Sequence, residues 1–428
     1  MKAFSAVPSN PALVAIDIAK SRHEALLETA QGQRRRLVIG NTLPEFKKFA
    51  DELQPHHPCE IAIEPTGDYH RPLANFLLRE GHHVHFVSSI ATSRTREALF
   101  NSWDKNDPKD AQVILHLLKN GTTQVFSDPL ECGNHDLQEL LGTYRQVVDR
   151  KTRVYHSLQT HYLPLYFPEA QPFISTPRAE WFLEVLHEAP CPSAVLKRSK
   201  KAFVKKFTAA GGRITLRQRL VGDYYEAAKE SVGIPVVADS WAVQMFQLTV
   251  EQYIRLTKQR RKLEELIHAQ LESNTDYQLL RTIPGIGPII ALTVLAEGGD
   301  LRRFSHYRKF LNYCGLALST SQSGTHRGVP QLSKRGNARL RCAFWMAAKA
   351  AIMQRQNGFR RKYDAYVRSN PLDPDLKRKA YTAVAAKVAR VAFGLIKSGK
   401  EYRRFFEAAV PGGRIPSQGP LRRSRPRR

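Results

Sequence analysis

Cysteine is scarce in this sequence, long apolar runs are missing, and acids are outnumbered by bases. Cys59, Cys132, Cys191, Cys314 and Cys342 are the five cysteines in 428 residues, widely scattered and with no Cys-x-x-Cys pair. That spacing argues against a structural zinc site and against a disulfide framework, and it fits a reducing compartment. No run approaches the ~18–20 apolar residues of a membrane span, and no basic amphipathic anchor stands out. The opening stretch MKAFSAVPSNPALVAIDIAK lacks the charged start, long apolar segment and small-residue cleavage site of a signal peptide. A cytoplasmic protein with no membrane partner is expected.

Against 39 acids stand 66 lysines and arginines, a formal charge of +27. Solubility needs far less, on the order of 2–8 for a small domain. A polyanion partner accounts for the excess, and nucleic acid is the commonest polyanion. The chain is too long for one core, so two or three domains are expected.

Strand and helix signals alternate over the first part. The apolar run at 12–18 is followed by two further strand signals, TLPEFKKFADEL has helical spacing, CEIAIEPTG is a buried-strand pattern, and YHRPLANFLLREGHHVHFVS reads as helix, turn, strand. This predicts an α/β domain over 1–124. Over 125–275 the strand signals fade. One long helix is predicted with Leu137, Leu141, Tyr144, Val148, Tyr155 and Leu158 on a stripe, ended by Pro164. A second covers about 237–273, with Phe246, Tyr253, Leu256, Leu263, Leu266 and Leu271 on a stripe. The two could pair as a coiled-coil-like arm or pack within one chain. Residues 276–400 form a mostly helical third unit, and the basic tail 401–428 reads as disordered alone.

Four carboxylates fall in three short pieces of the first part. Asp17 ends a strand signal in LVAIDIAK, Glu64 ends another in EIAIEPTG, and Asp107 and Asp110 open a helix in NDPKDAQVILHLL. A lone acid in an apolar strand is costly without a partner. Acids three apart on a helix can face one point. Like charges gather where a cation sits between them, and an all-oxygen set suits Mg²⁺ or Mn²⁺. A structural reading fits Asp107 and Asp110 equally: Asp107 precedes Pro108 and could cap the helix with Asp110 as its helper, while Asp104 lies one turn back.

The third unit opens with TIPGIGPIIALTV, which has the look of a helix-hairpin-helix turn. Gly285 and Gly287 would let backbone N–H groups approach a phosphate, or would merely make a tight connection. Then comes YCGLALSTSQSGTHRGVPQLSKRGNARLR. Ser319, Ser321 and Ser323 precede Gly324, and Arg327, Lys334, Arg335 and Arg339 follow as candidate phosphate contacts. A serine among cations can serve as a covalent nucleophile; taken alone, such a loop more often only caps and turns. His83 and His85, with His82, share a strand end and suggest metal, but no third ligand is evident. Arg145, Arg150 and Arg153 on the first long helix could track a nucleic-acid backbone or form a solvated face.

With these motifs the chain resembles the DEDD-type transposases of bacterial insertion sequences, the insertion-sequence one-ten or Piv-like recombinases. AIDIAK, IEPTG, NDPKDA, IPGIGPIIA and SKRGNARLR carry the resemblance over most of the chain. It implies a RuvC-like (ribonuclease H-fold) first domain whose acids are Asp17, Glu64, Asp107 and Asp110, binding Mg²⁺. It also implies a serine just before the glycine of the loop, which points to Ser323, with Ser321 as the alternative. DNA at element ends and target, a structured guide RNA in some members, and dimers or tetramers with composite active sites are further implications, as is a bacterial, nucleoid-associated setting. Lys105-Asn106 stands where the family often has Lys-Thr, and Leu318 stands near a usual proline. Two other functions fit the same charge: a hydrolytic junction nuclease using water, and a non-catalytic nucleic-acid scaffold.

Overall fold

The computed structural model describes residues 11–100, 107–126, 133–174, 180–208, 214–320, 322–323, 326–328, 330–355 and 357–403. The chain forms two compact units, Met1–Gly133 and Asn134–Arg428.

The first unit is built on one mixed sheet. Its strands are β1 (Leu13–Asp17), β2 (Arg22–Glu28), β3 (Arg34–Gly40), β4 (Glu60–Glu64), β5 (His83–Phe86) and β6 (Gln124–Val125), in the order β3-β2-β1-β4-β5-β6. β1, β4 and β5 run parallel, while β2, β3 and β6 pair antiparallel. The crossovers are α1 (Leu43–Leu53) between β3 and β4 and α2 (His70–Arg79) between β4 and β5; α3 (Ser89–Phe100) and α4 (Asp107–Lys119) follow β5. Parallel strands covered on both faces must be apolar on both, and Val14, Ala15, Ile16, Ile61, Ala62 and Ile63 are all buried. The alternation sorts them. Val14, Ile16, Ile61 and Ile63 pack with Phe46, Phe49, Leu73 and Leu77 of α1 and α2. Ala15, Leu26 and Ala62 pack with Ile114, Leu115 and Leu118 of α4. Each of the valine, leucine, isoleucine and phenylalanine side chains, fully buried, contributes about 1.5–3 kcal/mol. The far end of α4 is tied to β2 by Lys119, whose Nζ lies 2.5 Å from Glu28 Oε1; Arg34 Nε lies 2.7 Å from Oε2 of the same carboxylate. Burial pushes the Glu28 carboxyl up, but the Lys119 and Arg34 hydrogen bonds outweigh it and hold its pKa below the ordinary range.

The second unit has two cores. One collects Phe167, Phe182, Phe203, Tyr224 and Phe246. It lies among α6 (Leu163–Tyr166), α7 (Gln171–Ile174), α8 (Phe182–Glu188), α9 (Pro192–Leu196), α10 (Lys200–Thr208) and α11 (Ile214–Lys229). The Tyr224 hydroxyl donates to the Ala189 carbonyl at 2.7 Å, which satisfies the one polar group of a fully buried ring. The other core collects Leu280, Leu292, Phe310, Phe344 and Val388. It lies among α13 (Thr275–Arg281), α14 (Pro288–Gly298), α15 (Tyr307–Tyr313), α16 (Ala338–Met353), α17 (Gly358–Val367) and α18 (Pro374–Ser398).

Two long helices, α5 (His135–Ser157) and α12 (Trp241–Leu271), lie side by side and enter both cores. Leu141 and Leu271 belong to one core; Leu158, just past α5, and Val250 belong to the other. Between them the Tyr144 hydroxyl donates to Glu264 Oε1 at 3.0 Å, and the Tyr155 and Tyr253 rings stand 5.8 Å apart. The stripes therefore pack within one chain. On α12 the buried positions are Val243, Phe246, Val250, Leu256, Ile267 and Leu271, while Leu266 of the expected stripe is half exposed. Pro164 does not end the first helix. A π turn at Leu158–Tyr162 follows α5 directly, and Pro164 sits at the second position of α6, where its missing N–H is not required. Pro192 likewise opens α9.

Among the described residues no helix is long and apolar enough to cross a membrane. Cys59, Cys191 and Cys314 are buried and Cys342 is exposed, all as free thiols.

Candidate active site

Asp17 and Glu64 are the last residues of β1 and β4, and the parallel register makes them Cα partners. Residues of a strand alternate between faces, so Asp17 lies on the face of Ala15 and Glu64 on the face of Ala62, the side covered by α4. Both are half-buried. Like charges set directly opposite weaken a sheet unless something compensates them. The antiparallel register also sets Glu24 of β2 opposite Asp17, so three acids form one row across β2, β1 and β4. Glu24 was not singled out from the sequence; the alternation in RHEALLE, which puts it on the face of Leu26, is the signal that marks it. Arg22 lies 3.9 Å from it.

Helix α4 begins at Asp107, whose side chain lies outside the described residues, as does Asp104. Asp110, one turn on, is 1% exposed, and its carboxylate is held by Arg96 of α3, with Nε at 2.6 Å and a terminal nitrogen at 2.5 Å. The Arg96 side chain is itself only 13% exposed. A buried carboxylate needs such a partner. Arg96 thus takes the place beside Asp110 that a cation would take, and sequence reasoning did not single it out. Among the described residues no group of three or more histidines, cysteines or acids is gathered closely enough to hold a metal ion. The parallel register pairs Asp17 with Glu64, and their oxygens suit a hard divalent cation.

The histidines of β5 meet a different acid. His83 Nδ1 and His85 Nε2 each lie 2.6 Å from one oxygen of Glu60, at the opposite end of β4 from Glu64. His82 turns inward, where its Nδ1 accepts from the Cys59 N–H at 3.2 Å. Burial, and then the charges of His57 and His83, push its pKa down to about 4.

In the second unit the serine loop contains short strands: β7 (Leu318–Ser319) pairs with β10 (Gln331–Leu332), and β8 (Gln322–Ser323) with β9 (His326–Arg327). Ser323 and His326 are Cα partners; Ser321 and Gly324 lie outside the described residues, as do the side chains of Ser323 and Arg327. Lys334 and Arg335 are exposed, and Lys334 is held at φ 54°, in the left-handed region. Its carbonyl accepts from Arg341 at 2.8 Å. Side chains adopt that conformation at a cost on the order of 1 kcal/mol, and such residues cluster at functional sites. Gly336 brings the chain against the Asn312 and Tyr313 carbonyls, where a Cβ would meet oxygens at 2.5–2.6 Å. Asn337 then caps α16 and donates to Glu297 at 2.7 Å.

Arg339 does not extend toward solvent alone. It pairs with Glu297 at 2.8 Å, and Arg145 approaches the same oxygen at 3.5 Å. Arg150 and Arg153 are exposed. The expected hairpin turn joins α13 to α14. Gly285, at φ +89°, is packed so tightly that a Cβ would lie 2.2 Å from the Ala347 carbonyl, so this glycine serves the contact with α16. Gly287 precedes α14 with open space around its Cα.

These elements match known proteins in two blocks. Residues 14–168 match a transposase model of the DEDD IS110 type, and residues 277–364 match the model described as Transposase IS116/IS110/IS902 family. The chain belongs to the IS110 family of transposases. It is 24% identical to an uncharacterised protein of insertion element IS110 from Streptomyces coelicolor, over 93% of this chain and 96% of that one. It is 25% identical to a mini-circle putative transposase for IS117 from the same organism, covering 78% and 83% of the two chains. Over a shorter stretch, 33% of this chain and 38% of the relative, it is 29% identical to the transposase for insertion sequence element IS1111A of Coxiella burnetii.

Proposed function

We propose that this transposase cuts and rejoins the DNA of a mobile element by phosphoryl transfer, with Ser323 as nucleophile and a RuvC-like acidic site in the first unit. The observation that carries this reading is the register that sets Asp17 opposite Glu64 on the face where α4 brings Asp110. Asp17, Glu64 and Asp107 would hold Mg²⁺, joined by Asp110 once Arg96 releases it. Bound there, the ion supplies stabilisation of charge on phosphate and leaving oxygens. The Ser323 oxygen attacks phosphorus, the bond to the 3′ oxygen breaks, and the serine proton ends on that oxygen. A phosphoserine link and a free 3′ hydroxyl result, and strand exchange reverses the step. Lys334 and Arg335, both exposed, are the cations of the loop that reach for DNA or guide-RNA phosphates; Arg339 first has to leave Glu297.

Self-association brings composite sites, with acids from one chain and serine from another. Trp241, Met245 and Leu248 support this: they are 77%, 41% and 55% exposed at helical spacing on α12.

The test is a covalent trap. Wild-type chain on labelled element-end DNA with Mg²⁺ gives an adduct that survives denaturing electrophoresis, and Ser323→Ala gives none. Cleavage retained in Ser323→Ala with no adduct in either protein establishes a water nucleophile instead. An adduct of equal yield in both overturns the serine.

A further inference from the structure

On the second unit, α18 packs against both α15 and α17, and Lys387 of α18 reaches the first residue of α17. Lys387 and Arg390 are one turn apart on α18, and Arg361 and Lys362 stand on α17. Lys387 Nζ donates to the Gly358 carbonyl at 2.7 Å and sits 5.6 Å from the centre of the Phe359 ring. The Arg390 guanidinium lies 5.7 Å from the centre of the Tyr307 ring. Lys362 and Lys387 are half-buried.

What surrounds these groups is positive. Burial, then Arg390 and Lys387, push the Lys362 ammonium below the ordinary lysine range. Burial, then Arg390 and Arg361, do the same to Lys387. Asp364, the acid of α17, is engaged by Arg360, whose Nε donates to both its oxygens at 2.8 and 2.9 Å. Among the described residues no ion pair to a carboxylate is made by Lys362, Lys387 or Arg390. Crowding half-desolvated cations costs free energy that an anion with several acceptor oxygens returns. A phosphodiester suits two ammoniums and a planar guanidinium, and rings beneath the stems fix the heads in advance.

We propose that Lys362, Lys387 and Arg390 form a preformed cradle for a backbone phosphate of nucleic acid, a contact separate from the serine loop. The proposal rests on the nucleic-acid reading above. Duplex DNA and structured RNA offer the same phosphodiester, so the experiment carries both.

Full-length protein is titrated with a labelled DNA duplex and, separately, an RNA hairpin across a salt series. Lys362→Gln/Arg390→Gln lowers the slope of log affinity against log salt by about 1 on the polymer that uses the cradle, since one phosphate contact contributes roughly 0.9. Lys362→Arg/Arg390→Lys keeps the wild-type slope. Thermal midpoints are read alongside, and the glutamine variant melts no lower than wild type because it relieves repulsion. A shallower slope on DNA alone or RNA alone names the ligand. An unchanged slope on both, in a folded glutamine variant of a wild type that binds steeply, overturns the cradle. A wild type with no salt-dependent binding overturns the nucleic-acid reading itself.

Discussion

Arg96 closes on Asp110 from the neighbouring helix, both nitrogens within 2.6 Å of one carboxylate oxygen, in a site where the acid is 1% exposed. Removing one partner of a buried ion pair leaves an uncompensated charge, which costs about 3–5 kcal/mol. Arg96→Ala is therefore expected to lower the stability of the first unit by that order, and Asp110→Asn by less, because the amide still accepts. Denaturant unfolding followed by circular dichroism measures both. Equal stability of Arg96→Ala and wild type would remove the pair from the account of how α3 and α4 are held.

Asp17→Asn and Glu64→Gln are near-isosteric changes at strand ends, so the fold is kept. DNA cleavage in Mg²⁺ is expected to fall by at least ~10²-fold in each, the order seen when an electrostatic contributor to a reaction is lost. A cleavage assay paired with a melting curve separates the two effects. Full activity in either folded variant contradicts the acidic site.

Gly285→Ala and Gly287→Ala should part company. The first puts a methyl 2.2 Å from the Ala347 carbonyl and asks alanine for φ +89°, so a loss of roughly 2 kcal/mol or more is expected. The second meets nothing within 4 Å and costs little. Chemical denaturation of the two single variants decides it.

Buried histidines make the first unit sensitive to acid. His23, His70 and His82 are nearly inaccessible, and burial lowers the pKa of each below 6.5. The unfolded chain takes up protons near 6.5, while the folded His82 resists until about 4. Stability is thus full above pH 6.5 and declines as pH falls toward 4, His82 alone contributing on the order of 2–3 kcal/mol. Glu28, depressed by its two cations, adds a loss in the same direction lower on the scale. Unfolding midpoints between pH 8 and 4.5 are expected to drop, and to drop less in His82→Gln; a flat profile contradicts this.

Self-association is expected to weaken when Trp241→Glu and Met245→Glu are combined, since both side chains project from α12. Sedimentation velocity would show a shift toward the monomer by about tenfold or more in dissociation constant, the effect of roughly 1.4 kcal/mol. No shift would leave the exposed stripe without this role.

The strands and crossover helices of the first unit were legible because each is a short apolar run with a clear stop, and Asp17 and Glu64 stood out as single acids in such runs. Their registration opposite each other was not legible, because pairing is set by packing between segments far apart in sequence. Glu24 and Arg96 were missed for the same reason: neither breaks a local pattern, and only the fold gives them their neighbours. Pro164 misled because a proline reads as a stop, whereas a π turn before it lets the chain stay helical. Gly285 was read either as an approach for a phosphate or as a tight connection, and the α16 carbonyl that fills its space could not be read from the local motif. The α17–α18 cations belong to separate helices, and no spacing rule joins them.

The long pair α5 and α12 has one more consequence. α12 is rooted in both cores of the second unit, and α5 in one of them with its continuation at Leu158 in the other, so the cores are splinted like two beads on a double rod. One unbroken helix therefore joins the surroundings of Trp241 to those of Leu271, thirty residues further along the chain.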